Sequence, residues 1–123
     1  MSKILIVDDD ENNRLLITSL LSFHRHTVLE AEDGVRALAL ATQERPDLAI
    51  VDLRMPGMDG TGFIRALRAN PELTNVAVLL YTATLLNEAM QDFMSLHGVK
   101  GVIPKPSDPE EILREVDRAL SAR

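Results

Sequence analysis

Residues 48–52 are Leu48-Ala49-Ile50-Val51-Asp52, four apolar side chains followed by an acid. The same pattern occurs near the start of the chain, where Ile4-Leu5-Ile6-Val7 precedes Asp8 and Asp9. Continuous apolar runs of this length are typical of strands that are buried on both faces of a parallel sheet. Because parallel strands end at the same edge of a sheet, we expect Asp8, Asp9 and Asp52 to lie together there.

Three further apolar runs complete a predicted sheet of five strands. They cover residues 27–31, residues 76–81 and a weaker stretch at 101–103. Glu30 interrupts the first of these runs and the last is short, so we expect these two strands at the edges of the sheet.

The segments between the runs have helical spacing and recognisable ends. Asp59 and Asp108 are predicted to cap helices, and a third helix is predicted to end near Glu44, before Pro46. Strand and helix thus alternate along the whole chain, which predicts a doubly wound α/β fold in a single domain over residues 1–123.

Composition excludes several classes of function. The chain has 123 residues, 46% hydrophobic and 26% charged, as expected of a folded globular protein. Its net charge of -6 disfavours direct binding to nucleic acid or to an anionic membrane. The absence of cysteine excludes disulfides, thiol nucleophiles and cysteine-based zinc sites. No signal peptide or membrane-spanning run is recognisable in the sequence, so we expect a cytoplasmic location.

The loop after the first run contains four consecutive acids, Asp8-Asp9-Asp10-Glu11. A nucleotide or flavin phosphate would need small residues there that offer backbone N–H groups. Acids instead repel a phosphate unless a metal intervenes, and carboxylate oxygens are ligands that suit Mg²⁺. Taken alone, Asp8, Asp9 and Asp10 are explained by a solvated strand end plus a helix cap. The acid cluster nevertheless predicts a magnesium site.

Two residues late in the chain complete a set suited to phosphoryl transfer. Thr82 closes the run at 76–81, and Lys105 follows the short run at 101–103, so both are predicted to face the same edge of the sheet. A hydroxyl donor, an ammonium group and a metal beside a free carboxylate would stabilise a phosphoryl group under attack. The set therefore predicts a phosphoryl acceptor.

The sequence resembles the receiver domain of two-component response regulators. The resemblance rests on four motifs in order: Asp8-Asp9, Asp52 within Asp52-Leu53-Arg54-Met55-Pro56-Gly57, Thr82-Ala83, and Lys105-Pro106. It implies a flavodoxin-like sheet with strand order 2-1-3-4-5 and helices on both faces.

The resemblance also implies a role for each site residue. Asp52 would be the phosphoacceptor, with Thr82 and Lys105 as its catalytic partners. Asp9, Asp52 and the backbone carbonyl of Arg54 would ligate Mg²⁺, and Asp8 would act through water. Lys105 would pair with Asp52 before the reaction, and the Lys105-Pro106 bond is expected to be cis.

The implied partners are a histidine kinase or a histidine phosphotransfer protein, and an effector domain or target protein. The first helix has a broad apolar arc, and in this family that helix commonly docks the phosphodonor. Arg54 and Thr84 are expected to flank the entrance to the phosphoryl group and to influence how fast water removes it. The protein would be a signalling module that catalyses only its own phosphorylation and dephosphorylation.

The sequence departs from the family pattern at two positions. Val102 stands where an aromatic residue is usual, and Ser107 follows Lys105-Pro106 where another is common. We therefore expect a weakened conformational readout near the last strand.

Two alternatives remain open at this point. A pseudo-receiver that acts only as an interaction module is motivated by Val102 and Ser107, but every phosphorylation residue is retained. A haloacid-dehalogenase-like phosphatase would also use an aspartyl nucleophile, but it needs a second acid at the position of Arg54.

Overall fold

The structure, a computed structural model, describes residues 2–83 and 86–121. Within these residues, five strands and five helices alternate, with one short 3-10 helix. They are β1 (Lys3–Val7), α1 (Glu11–Phe23), β2 (Thr27–Ala31), α2 (Gly34–Glu44), β3 (Leu48–Val51), α3 (Gly60–Ala69), the 3-10 helix (Pro71–Leu73), β4 (Ala77–Thr82), α4 (Glu88–Leu96), β5 (Gly101–Pro104) and α5 (Pro109–Ser121). The strands form one parallel sheet in the order β2-β1-β3-β4-β5, which confirms the predicted fold.

The strands with continuous apolar sequence occupy the middle of the sheet. All four residues of β3 and all six residues of β4 are buried, as are four of the five in β1. In β2, by contrast, Thr27 and Glu30 are exposed. The two weakest apolar runs form the edge strands β2 and β5, as predicted, because an edge strand is covered less completely than a central one.

Alternation of side chains along each strand divides the core into two layers. Leu5 and Val7 of β1 face the layer that α2 and α3 cover, whereas Ile4 and Ile6 face the layer beneath α1 and α5. The sheet therefore has helices on both faces, and only its two ends are free to form a site.

Side-chain caps explain where several helices begin. The carboxylates of Asp10, Asp33 and Asp59 accept backbone hydrogen bonds at the starts of α1, α2 and α3. Asp108 Oδ1 accepts from the Glu111 N–H at 2.9 Å at the start of α5. Each cap satisfies N–H groups that have no partner inside the helix, so the predicted starts at Asp59 and Asp108 are confirmed.

One strand boundary differs from its prediction. The fourth strand was expected over residues 76–81, but β4 covers Ala77–Thr82. The N–H of Val76 donates to the Leu73 carbonyl at 3.2 Å and so closes the turn after the 3-10 helix. Val76 therefore lies between the turn and β4, outside the strand, despite its apolar side chain.

The core covers the apolar side chains of α1 and α4 only in part. In α1, Ile17 and Leu21 are buried, whereas Leu15, Leu16 and Phe23 are 60%, 52% and 83% exposed. Residues of α4 pack only partly against the core and none is fully buried.

Over residues 2–83 and 86–121, no helix has the length and apolar content needed to cross a membrane.

Candidate functional site

The acids that follow the central strands lie together at the carboxyl edge of the sheet. Val7 of β1 pairs with Val51 of β3, so the residues just beyond them are neighbours. Carboxylate oxygens of Asp8, Asp9 and Asp52 lie within 4.8 Å of one another. Asp8 and Asp52 are only 1% and 7% exposed, whereas Asp9 faces solvent. The structure thus brings together the three acids that the sequence singled out.

Backbone hydrogen bonds fix the two buried acids. The Asp52 N–H donates to the Val7 carbonyl at 2.8 Å, which extends the pairing of β1 and β3 by one residue. The Asp8 N–H likewise donates to the Ala31 carbonyl of β2 at 3.1 Å. Beyond the strand, the Arg54 N–H donates to Asp52 Oδ1 at 3.3 Å. The carboxylates therefore start from backbone positions that the sheet determines.

Lys105 reaches the acids from β5. Its Nζ lies 2.8 Å from Asp8 Oδ2 and 3.3 Å from Asp52 Oδ2, with 16% of its side chain exposed. The Lys105 N–H donates to the Thr82 carbonyl at 3.0 Å, and the Thr82 side chain is buried at the end of β4. The Lys105-Pro106 peptide bond is cis, as the resemblance implied. Thr82 and Lys105 are therefore joined through the backbone at the edge where the acids lie.

The shortest contact of the Lys105 ammonium was not expected from the sequence. The resemblance implied a pair with Asp52 and a role for Asp8 through water, yet the hydrogen bond to Asp8 is the shorter of the two. Asp8 is buried to the same degree as the core, and a buried carboxylate requires a charged or hydrogen-bonding partner. Position alone distinguishes Asp8 from Asp9, and the sequence does not state which of two consecutive acids points inward.

Burial and charge act against each other at this site. Burial raises the pKa of Asp52, the charge of Lys105 opposes that rise, and the charge of Asp8 adds to it. Burial lowers the pKa of Lys105, but its hydrogen bond to Asp8 and the charges of Asp8 and Asp52 outweigh burial and raise it overall. The Lys105 ammonium is therefore charged at neutral pH. A further cation at the site would stabilise the charged form of the Asp52 carboxyl.

The donor set fits a hard divalent cation. The Lys105 ammonium contacts two of the three carboxylates, so the cluster keeps an excess of negative charge. Oxygen ligands of this kind, one of them open to solvent at Asp9, suit a cation that retains water molecules. Asp8, Asp9 and Asp52 could hold a metal ion together.

Two glycines let the loop after Asp52 pack closely against the helices. The Gly60 N–H donates to the Leu53 carbonyl at 3.1 Å, and a Cβ at Gly60 would lie 2.4 Å from the Asp52 carbonyl oxygen. The Gly34 N–H donates to the Met58 carbonyl at 3.3 Å, where a Cβ would lie 2.6 Å from the same oxygen. The loop that carries Asp52 is therefore held at both ends by approaches that only glycine permits.

The two positions that depart from the family pattern lie beside β5. Val102 is half-buried and packs against the apolar layer that α2 and α3 cover. Ser107 is half-buried too, and its hydroxyl donates to the Pro104 carbonyl at 2.6 Å. The side chain of Arg54 is exposed beside the acids, and Thr84, expected at the same entrance, lies outside the described residues.

A cavity of about 630 Å³ lies at the opposite, amino end of the strands. Arg68 lines it, and its guanidinium donates to the carbonyls of His97, Thr74 and Val76 at 2.7, 3.2 and 2.7 Å. Burial lowers the pKa of Arg68. These contacts tie α3 to the segments before β4 and β5, so Arg68 serves the fold at a distance from the acid cluster.

A parallel α/β domain with acids, a threonine and a lysine at the carboxyl edge of its sheet defines a receiver-type signalling domain. The chain matches the response regulator receiver domain family over residues 4–117, and it belongs to that family. Receiver domains of two-component response regulators are phosphorylation-dependent signalling switches, and this chain is one of them.

Individual relatives agree with this assignment. Protein PilH of Pseudomonas aeruginosa is 35% identical over 121 residues, which cover 98% of this chain and 99% of PilH. The regulator RpaA of Synechocystis, named a DNA-binding dual master transcriptional regulator, is 37% identical. The match covers the whole of this chain and 50% of RpaA. Chemotaxis protein CheY4 of Vibrio cholerae superimposes with a TM-score of 0.90 at 31% identity, over 97% of this chain and 98% of CheY4.

Proposed function

We propose that residues 1–123 form one receiver domain that accepts a phosphoryl group on Asp52 from a phosphohistidine. The observation that carries the proposal is the position of the Asp52 carboxylate, within 4.8 Å of the carboxylates of Asp8 and Asp9 and 3.3 Å from the Lys105 ammonium. An oxygen of Asp52 would form the new P–O bond while the P–N bond to the donor imidazole breaks. The electron pair of that bond leaves with the imidazole nitrogen.

Each neighbouring residue has a part in this step. Lys105 would exchange its contact with Asp52 for a phosphoryl oxygen while keeping its hydrogen bond to Asp8. Thr82 would donate its hydroxyl to another phosphoryl oxygen and move toward it. That movement at the end of β4 would start the conformational change.

The acid cluster supports Mg²⁺ as the cofactor. Asp9, Asp52 and the backbone carbonyl of Arg54 would hold the ion directly, and Asp8, already bound to Lys105, would act through water. Mg²⁺, when bound, neutralises charge on the phosphoryl oxygens and on the acids around them. The domain catalyses only its own phosphorylation and dephosphorylation and acts on no independent substrate.

The partners follow from this role. A histidine kinase or a histidine phosphotransfer protein would supply the phosphoryl group, and an effector domain or target protein would read the result. The exposed side chains of Leu15, Leu16 and Phe23 on α1 form an apolar surface that suits docking of the phosphodonor. RpaA, which is about twice as long as the matched region, illustrates a relative with further sequence beyond the receiver.

The test is incubation with beryllofluoride and Mg²⁺, followed by two-dimensional NMR. The wild type should show shifts around Asp52 and Thr82, and Asp52→Asn should show none. Asp33→Asn is the matched control, because asparagine also caps α2 and the residue lies outside the acid cluster. A silent wild type, or an unchanged response in Asp52→Asn, contradicts the proposal, as does a response that survives removal of Mg²⁺ by a chelator.

A further inference from the structure

The residue just before Thr82 contributes an aromatic ring to the phosphorylation site. Tyr81 is 3% exposed and pairs with Ile103 of β5. Its side chain belongs to the apolar cluster beneath α1 and α5. The Lys105 Nζ lies over its ring, 4.8 Å from the centroid. The ring is fixed by the core, because both the strand and the surrounding side chains are buried.

The Lys105 ammonium is thus contacted from two directions. Asp8 and Asp52 accept from it at 2.8 and 3.3 Å, and it lies over the face of the Tyr81 ring, 4.8 Å from the centroid. A lysine side chain has about four rotatable bonds and loses much rotamer freedom when it is held in one place. The negative face of an aromatic ring attracts a cation within about 6 Å of its centroid. A buried ring therefore restricts where this flexible side chain places its charge.

We propose that Tyr81 is a positioning residue for Lys105 and that its ring holds the ammonium group beside Asp8 and Asp52. This proposal rests on the proposed function of Asp52, because it explains why the Lys105 ammonium is held beside that residue. With the ammonium already in position, the arriving phosphoryl group meets a cation that needs no search among rotamers. The hydroxyl of Tyr81 takes no part in this role, because the ring face makes the contact.

A purely structural role of Tyr81 in the core makes different predictions. Tyr81→Phe keeps the ring and its volume, whereas Tyr81→Leu keeps an apolar side chain and removes the ring face. If Tyr81 only fills space, the effects of these variants should follow stability alone. If it positions Lys105, Tyr81→Phe should behave as the wild type in every measurement that reports on the ammonium.

The first measurement is the NMR signal of the lysine side chains, without phosphodonor or metal. The chain has three lysines, Lys3, Lys100 and Lys105, so lysine-selective labelling gives three Cε signals. The Hε protons of Lys105 should be shifted upfield by the ring current in the wild type and in Tyr81→Phe, and Tyr81→Leu should remove that shift. Lys3 and Lys100 provide the reference within the same spectrum. An unshifted Lys105 signal in the wild type overturns the proposal even if no variant folds.

The second measurement is the rate of phosphorylation by a small phosphodonor with Mg²⁺. Tyr81→Leu should slow it roughly three- to ten-fold, the size of a partly buried cation–π contact, and Tyr81→Phe should stay within about two-fold of the wild type. A double-mutant cycle of Tyr81→Leu with Lys105→Met, followed by urea unfolding, should show a coupling of similar size.

The outcomes separate this proposal from the function on which it rests. Equal rates for Tyr81→Leu and Tyr81→Phe, or additive effects in the unfolding cycle, overturn the role of Tyr81. A wild type that shows the ring-current shift but accepts no phosphoryl group instead contradicts the proposed function of Asp52 and leaves the contact between Tyr81 and Lys105 established.

Discussion

Adding one methyl group at Gly60 should damage both stability and the phosphorylation site. A Cβ at this position would lie 2.4 Å from the Asp52 carbonyl oxygen and 2.9 Å from the Leu53 Cα, and ordinary contacts begin at 3.4 Å. Both neighbours are backbone atoms of the loop that carries Asp52, so no side chain can rotate away. The loop and the start of α3 would have to separate by about 1 Å.

The magnitude follows from two opposing effects. Forcing an extra carbon into a packed contact costs ~1–3 kcal/mol. Alanine gains up to ~1 kcal/mol over glycine from the smaller entropy of its unfolded chain. Gly60→Ala should therefore lose about 1–2 kcal/mol of unfolding free energy, or roughly 4–8 °C in Tm for a domain of this size. Movement of the loop should also weaken the response to beryllofluoride, because Asp52 shifts relative to Lys105.

Gly62→Ala is the matched control in the same turn of α3. A Cβ there would meet the flexible Met58 side chain at 3.1 Å, and the next contact, with Asp59 Oδ1, is 3.6 Å. This variant should be as stable as the wild type or up to ~1 kcal/mol more stable. Urea unfolding measures both variants, and beryllofluoride titration follows the site. If Gly60→Ala matches Gly62→Ala in both assays, the close approach of the loop does not constrain Asp52.

Three further predictions concern a helix cap, a half-buried arginine and the conformational readout. Asp59→Ala should cost ~1 kcal/mol at pH 7. Hydrogen bonding lowers the pKa of the Asp59 carboxyl from 3.8. The contribution of this carboxylate to stability is therefore complete above that pH and is lost as the pH falls through the lowered pKa. If urea unfolding shows the same cost of Asp59→Ala at pH 2 as at pH 7, this reasoning is refuted. Arg68→Met should lose ~2–3 kcal/mol in the same assay, because three backbone carbonyls lose a charged donor; a loss below ~0.5 kcal/mol would show that water replaces it. With Val102 in place of an aromatic residue, beryllofluoride should shift NMR signals over residues 99–112 less than those around Thr82, and equal shifts would contradict a weakened readout.

The sheet and the acids were predictable because their signals are local. Runs such as Leu48–Val51 are apolar throughout, which distinguishes a central strand from an edge strand such as Thr27–Ala31. Chain order then places Asp8 and Asp52 at one edge without any knowledge of packing. Helix starts at Asp59 and Asp108 were equally local, since a cap acts within three residues.

Features that depend on contacts between distant segments were not predictable. How far the core covers α4 is one of them: Met90, Phe93 and Met94 pack against the core only in part, and Leu96 is 80% exposed. The position of Tyr81 beside Lys105 is another, because nothing near Tyr81 in the sequence reveals that Lys105 lies over its ring. The requirement for glycine at position 60 likewise arises from an oxygen eight residues earlier in the chain.

The sequence by itself determined which residues form the strands and which side chains stand at the carboxyl ends of those strands. It also determined the chemistry that those side chains offer. Only the tertiary structure decided how they share one ammonium group. Lys105 and Asp8 are 97 positions apart, and their 2.8 Å hydrogen bond depends on the register of strands from both ends of the chain. The physical reason is that Lys105 lies a few tenths of an ångström closer to Asp8 than to Asp52. Packing across the whole sheet sets that difference, and no local pattern encodes it.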